Sequence, residues 1–139
     1  MDIKRDKYLN DLVNRMHNGM IKVVTGIRRC GKSYLLFNIF KNYLLEQGIP
    51  VSHIITIELD QHKNKKYRDP DIILDFIESL IEDDEQYYIM LDEVQMLQEF
   101  EEVLNSLLHI KNADIYVTGS NSKFLSKDVI TEFRGRGDE

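Results

Sequence analysis

The 139-residue sequence has one cysteine, Cys30, and four scattered histidines, so it can form no internal disulfide and shows no zinc-ligand spacing. It has no long apolar run and no basic-then-apolar leader, which argues against a membrane span and a secretory signal. Its 18 basic residues are outnumbered by 24 acidic ones, and the net charge of −6 excludes a protein-wide basic field for nucleic acid. We therefore expect a cytoplasmic protein without a membrane partner.

What the sequence does contain is the balance of an ordinary globular protein, with 42% apolar and 30% charged residues. Its length suits a single domain. Short apolar runs alternate with amphipathic segments along the chain, and this alternation is typical of strands connected by helices. We expect an α/β fold in which helices cover both faces of a parallel sheet of about four strands.

The expected elements follow from hydrophobic period and from turn residues. Strands are predicted at residues 21–25, 52–59, 87–91 and 114–118. A leading helix carries an apolar stripe that comprises Tyr8, Leu9, Leu12, Val13 and Met16. Further helices are predicted at residues 32–47, from the Asp69–Pro70 start, at 97–108 and, more weakly, at 124–133. The polar, basic stretch at residues 61–69 is predicted as a loop.

The segment GIRRCGKS follows the first strand and matches the phosphate-binding pattern G-x-x-x-x-G-K-[ST]. Such a loop wraps a polyphosphate with successive backbone N–H groups, and glycine permits the conformations that this requires. Lys32 would reach the β- and γ-phosphates, and the hydroxyl of Ser33 would ligate Mg²⁺. The residues expected to bind the nucleotide are Gly26, Ile27, Arg28, Arg29, Cys30, Gly31, Lys32, Ser33 and Tyr34.

An acidic pair, Asp92 and Glu93, ends the third predicted strand in the sequence YYIMLDE. Ligands of open parallel sheets bind at the carboxyl ends of the strands, where this pair is expected. Asp92 would hold Mg²⁺, and Glu93 would orient and activate an attacking water. A small-molecule kinase would exclude that water, so the pair favours hydrolysis.

Two later segments allow more than one interpretation. The fourth strand ends in TGSNS, whose Thr118, Ser120 and Asn121 could contact the γ-phosphate or position the water, but the same residues suit a plain strand-to-helix turn. The segment FRGRG supplies Arg134 and Arg136, and an arginine offered in cis or by a neighbouring subunit would stabilise transition-state charge. A polar chain end is the alternative interpretation of FRGRG.

The basic stretch at residues 62–68, HKNKKYR, includes Tyr67 and would suit a nucleic-acid contact. A solvated loop is the other interpretation, and the acidic total of the chain favours it. Nucleic acid therefore stays an open partner.

Together, GIRRCGKS, YYIMLDEVQ, VTGSNS and FRGRG resemble the motifs of prokaryotic AAA-plus-type ATPases, whose phosphate loop reads GxRRxGKS. The resemblance covers nearly the whole chain. It implies a P-loop NTPase three-layer α/β/α sandwich with sheet order 5-1-4-3-2, and it implies ATP and Mg²⁺ as cofactors. It also implies adenine packing near Tyr8 and Leu9, and a sensor residue at Ser120 or Asn121.

The proteins that the chain resembles are longer, with a fifth strand, a helical lid and a further C-terminal domain after the GRG element. We therefore expect residues 1–139 to be the ATPase core alone, with strand 5 and the lid missing. The first strand would then be an exposed sheet edge, through which the chain could self-associate. An arginine finger would be a second route to self-association.

The resulting functional expectation is Mg²⁺-dependent ATP hydrolysis, weak or absent in the isolated core. Its expected catalytic residues are Glu93, Lys32, Ser120, Asn121 and Arg136. The alternative is a binding switch in which ATP occupancy changes a partner surface with negligible turnover. Phosphate release, measured with and without acceptors, would separate hydrolysis, switching and phosphotransfer.

Overall fold

The computed structural model describes residues 3–25, 35–119 and 130–133, with side chains in residues 7–25 and 35–119. The helices are α1 (Ile3–Asn14), α2 (Lys41–Glu46), α3 (Pro70–Leu80) and α4 (Phe100–Leu108). The strands are β1 (Ile21–Val24), β2 (Ile54–Glu58), β3 (Tyr87–Asp92), β4 (Ala113–Thr118) and β5 (Ile130–Phe133). The α/β class and the four expected strands are confirmed.

The sheet has the order β2-β3-β4-β1-β5, and its first four strands pair in parallel. This confirms the expected neighbours 1-4-3-2. Two expectations at the other side of β1 are wrong, because β5 pairs with β1 in antiparallel orientation, from Ile21 opposite Phe133 to Val24 opposite Ile130. Strand β1 is therefore flanked on both sides by its own chain, and residues 130–133 are not helical. An extended segment here satisfies the backbone groups that β1 would otherwise leave unpaired.

Two hydrophobic cores cover the two faces of the sheet. Strand β3 is buried throughout, and its side chains alternate between the cores, with Ile89 and Leu91 in one and Tyr88 and Met90 in the other. The first core packs against α3 and α4 through Ile73, Ile77, Val103, Leu104 and Leu107. The second packs against α1 and the helical segment at residues 35–46 through Leu12, Leu35, Leu36, Phe40 and Leu44. The result is the expected three-layer α/β/α arrangement.

The helical segment at residues 35–46 differs in detail from the one regular helix expected at residues 32–47. It has π-helical geometry over Leu35–Phe40 and becomes α-helical in α2. Gly48 then adopts a positive φ of 92°, which suits the residue expected to stop the helix. The start of α3 is as expected, since the Asp69 side chain accepts the backbone N–H of Asp71 at 2.9 Å, with Pro70 at the first helical position.

The basic stretch is a 3₁₀-helix over His62–Arg68, so the loop expectation is wrong. The Nε of Arg68 donates to the backbone oxygen of Leu59 at 2.8 Å, and the ring of Tyr67 stacks on Phe76 at 4.6 Å between centroids. These contacts supply the order that the polar sequence alone did not indicate. The helices in the described parts of the chain are all too short or too polar to span a membrane.

Candidate functional site at the carboxyl edge of the sheet

The end of β3 is joined to the end of β4 by a hydrogen bond between side chains. Asp92 is the last residue of β3 and is 5% exposed, while Thr118 is the last residue of β4 and is fully buried. The Thr118 hydroxyl donates to Oδ1 of Asp92 at 2.5 Å. Because β3 and β4 are parallel neighbours, their carboxyl ends meet at one edge, and this bond holds the Asp92 carboxylate there.

Glu93 follows Asp92 in a left-handed backbone conformation, with φ 55° and ψ 57°. Its N–H donates to the hydroxyl oxygen of Thr118 at 2.9 Å, so one hydroxyl holds both members of the acidic pair. Its carbonyl accepts the N–H of Met96 at 3.0 Å, which closes a 3₁₀ turn over Val94–Met96. A left-handed glutamate is strained by about 1–3 kcal/mol. His17 and Glu99 also have positive φ, so what distinguishes Glu93 is its bond to Thr118 rather than the strain itself.

The carboxylate of Glu93 is itself held by a neighbour in the turn. Nε2 of Gln95 donates to Oε1 of Glu93 at 2.7 Å, and both residues are partly buried. Sequence reasoning assigned no role to this glutamine. It also grouped Thr118 with residues that face the nucleotide, whereas Thr118 bonds to the acidic pair. The feature of the sequence that could have indicated this contact is that Gln95 follows Glu93 by two residues. The turn over Val94–Met96 brings the two side chains within hydrogen-bonding distance.

The carboxyl end of β1 lies at the same edge. The N–H of Gly119, directly after β4, donates to the carbonyl of Val24 at 3.4 Å. Thr25 comes next and is 1% exposed, and its hydroxyl has no hydrogen-bond partner within the structure as described. The glycine that begins GIRRCGKS follows Thr25 directly in the sequence. A buried hydroxyl is costly without a partner, so this edge is suited to a polar ligand.

Most other expected site residues lie outside the described residues. These are the phosphate-loop residues 26–34, together with Ser120, Asn121, Arg134 and Arg136. Tyr8 and Leu9 are half-buried on α1 and pack against the second core. The structure thus brings Asp92 and Glu93 together with Thr118, while Tyr8 and Leu9 lie on the helix that covers one face of the sheet.

The chemistry of Asp92 fits a shared metal site. Within residues 7–25 and 35–119, no group of three or more histidine, cysteine or acidic side chains could hold a metal ion. Magnesium, however, is usually bound by one or two carboxylates together with water and substrate phosphates. A single buried carboxylate at the strand edge is what such a shared site requires from β3.

Comparison with known proteins relates the chain to a domain family and to two longer proteins. A family model described as "AAA domain" matches residues 18–139. An uncharacterized protein of Haemophilus influenzae is 33% identical over 135 residues, which are 96% of this chain and 34% of that protein. An uncharacterized protein of Methanocaldococcus jannaschii is 28% identical over 138 residues, which are 96% of this chain and 29% of that protein. The chain therefore spans about a third of the length of the curated relatives it matches.

Proposed function

Because the chain belongs to the AAA domain family of nucleotide-binding, ATPase-like domains, we propose that it binds ATP and hydrolyses it in a Mg²⁺-dependent reaction. In this proposal, residues 1–139 are the P-loop ATPase core of a longer protein. Two features support it: the relatives are about three times as long, and the sheet presents an acidic pair at the carboxyl edge where β1 leads into the phosphate loop, with β4 lying between β3 and β1.

The proposed nucleotide contacts come from the phosphate loop and α1. The backbone N–H groups of residues 26–33 wrap the phosphates, and the ammonium group of Lys32 carries positive charge to them. Tyr8 and Leu9 pack near the adenine. The residues that would hold the metal are Ser33 and Asp92. When bound, Mg²⁺ neutralises charge on the β- and γ-phosphates.

The proposed water-activating residue is Glu93. Its carboxylate would accept a proton from the attacking water, whose oxygen bonds to the γ-phosphorus while the bond from that phosphorus to the β–γ bridging oxygen breaks and ADP leaves. For this, the carboxylate oxygen must come within about 2.6–3.2 Å of the water oxygen. Ser120 or Asn121 positions that water or contacts the γ-phosphate, and Arg136 stabilises the charge of the transition state, in cis or from a second subunit. Thr118 holds the backbone of Glu93 and the carboxylate of Asp92 at fixed places.

One observation carries the proposal, namely the pair of bonds from the Thr118 hydroxyl to Asp92 and Glu93. A purely structural cap would not need a buried carboxylate at the carboxyl edge. Burying that carboxylate costs free energy in the folded state, and a metal-binding role for Asp92 accounts for it.

The experiment combines one binding variant with one turnover variant. Lys32→Ala should abolish measurable Mg-ATP binding in calorimetry, because the loop loses its charge aimed at the phosphates. Glu93→Gln keeps size and hydrogen bonding but loses basicity, so binding should persist while turnover falls by about 10²-fold or more. Turnover is measured as phosphate release in single-turnover conditions, which detect a slow isolated core.

Two matched controls come from the exposed surface. Lys111→Ala removes an exposed lysine of the turn before β4, and Glu99→Gln neutralises an exposed glutamate six residues after Glu93. Both should leave binding and turnover unchanged. Unchanged ATP affinity in Lys32→Ala would refute the binding assignment. Tight binding without any phosphate release by the unaltered chain would instead identify a nucleotide-dependent switch.

A further inference from the structure

The side chains of Gln95 and Glu93 are joined by a short hydrogen bond. Nε2 of Gln95 donates to Oε1 of Glu93 at 2.7 Å, at the short end of the usual range for an N–H···O bond. A lysine or arginine in this place would offset the negative charge of the carboxylate. The neutral amide of Gln95 holds the carboxylate and leaves its charge in place. Since a carboxylate has about four lone-pair sites, the bond from Gln95 occupies only one of them.

The turn that carries Gln95 is anchored on both sides. Val94 is fully buried and Leu97 is 2% exposed, and both belong to the first core. The N–H of Leu97 donates to the carbonyl of Val94 at 3.0 Å, which tightens the turn further. Gln95 lies between these anchors, so its backbone has little freedom, and its amide is presented to Glu93 from a rigid base.

Glu93 is anchored at its backbone in the same way. Its N–H bonds to Thr118 and its carbonyl bonds to Met96, so the left-handed conformation is held from both sides. The side chain of Glu93 has torsions of its own, which the backbone bonds do not set. The bond from Gln95 is one contact that restricts them.

We propose that Gln95 is a positioning residue, which orients the Glu93 carboxylate toward the attacking water through the Nε2–Oε1 hydrogen bond. This inference rests on the proposed function, because it gives Glu93 the role of general base. Gln95 does not contact substrate in this scheme. Its effect comes from geometry, since a displacement of about 1 Å in a reacting group can cost about 10²-fold in rate.

The test replaces Gln95 with methionine, which keeps the length and shape of the side chain and removes the donor. Gln95→Met should lower the single-turnover rate of ATP hydrolysis by about 10-fold and leave the Mg-ATP dissociation constant within about twofold. The matched control is Gln98→Met, an exposed glutamine three residues further along the same segment. It should change neither quantity.

A double-mutant cycle decides whether Gln95 acts through Glu93. In the Glu93→Gln background there is no carboxylate to orient, so adding Gln95→Met should lower the rate no further than about twofold. If the second substitution costs the same factor in both backgrounds, Gln95 acts independently of Glu93 and the inference is wrong. A loss of ATP affinity that parallels the loss of rate would equally refute it, because that is the signature of structural damage.

Failure of the proposed function gives a different pattern. If Glu93→Gln hydrolyses ATP as fast as the unaltered chain, the role of Glu93 as general base is wrong. If Glu93→Gln is inactive while Gln95→Met is fully active, Glu93 keeps its role and only the inference about Gln95 fails. Gln95→Asn supplies a second variant, since its shortened amide should give a rate at or below that of Gln95→Met.

Discussion

The ammonium nitrogen of Lys22 lies 2.5 Å from Oδ1 of Asp114, and both side chains are buried in the sheet. Oδ2 of Asp114 also accepts the hydroxyl of Tyr116 at 2.5 Å and the backbone N–H of His17 at 2.9 Å. His17 has a positive φ of 60° in the connection between α1 and β1. The carboxylate of Asp114 therefore fastens that connection to strands β1 and β4.

Lys22→Met should strongly destabilise the fold, because it leaves the buried Asp114 carboxylate without its counter-charge. Breaking a buried ion pair in this way costs about 3–5 kcal/mol in the free energy of unfolding, which urea denaturation measures. Adding Asp114→Asn should recover part of the loss. The exposed Lys111→Met serves as control and should stay within about 0.5 kcal/mol. A Lys22→Met chain as stable as the unaltered one would contradict the buried pair.

Tyr116→Phe should change how stability responds to alkaline pH. Burial raises the pKa of the Tyr116 hydroxyl far above its usual range, and the charge of Asp114 raises it further. In the unfolded chain tyrosine ionises near pH 10, so the folded state keeps a proton that the unfolded state releases. The stabilisation is complete below about pH 10 and is lost as the pH rises above that value.

Urea unfolding at several values between pH 8 and 11 would measure this effect. We expect a smaller decline of the unfolding free energy for Tyr116→Phe than for the unaltered chain. At pH 7 the unfolding free energy of the variant should also be lower by about 1 kcal/mol, since phenylalanine has no hydroxyl to donate to Asp114. Parallel pH curves for the two chains would contradict the assignment. Burial also raises the pKa of Tyr88. Tyr88 therefore contributes to the decline of the unfolding free energy that Tyr116→Phe still shows at high pH.

The elements that the sequence predicts well are those whose pattern is local. Asp69 and Pro70 predict the start of α3, and apolar runs predict β3 and β4. Strand β5 was not predicted because its four residues are extended only through pairing with β1. Pairing with a strand so distant in the sequence leaves no local pattern. The π-helical segment at Leu35–Phe40 was missed because six residues are too few to separate its period from that of an α-helix.

The same distinction applies to the candidate site. Asp92 and Glu93 could be placed at the carboxyl edge because they directly follow a buried strand. The hydrogen bonds of Thr118 depend on the register of β3 against β4, in which Leu91 lies opposite Val117. Since register depends on the whole sheet, the direction of the Thr118 hydroxyl could not be predicted from its own neighbourhood.

Thr118→Val should weaken both the fold and the site. Valine has the same shape but no hydroxyl, so Asp92 loses a donor and the N–H of Glu93 loses its acceptor. Each unsatisfied buried group costs about 1–3 kcal/mol, and we expect a loss in that range from urea denaturation. Thr118→Ser retains the hydroxyl and should keep the rate of phosphate release, which in Thr118→Val should fall about 10-fold. Equal rates and stabilities in the two variants would show that the hydroxyl is unimportant.

Removal of β5 should convert the chain into a self-associating protein. A chain shortened to end at Gly119 lacks residues 130–133, so β1 loses its antiparallel partner and presents the edge IKVV. Charged side chains normally protect such an edge, but Lys22 is buried in its pair with Asp114 and cannot do so. Light scattering should show dimers or larger species that increase with concentration.

A chain that lacks only residues 134–139 retains β5 and should not associate by this route. If the shorter chain remains a folded monomer by circular dichroism and light scattering, pairing with β5 is not what keeps β1 from associating.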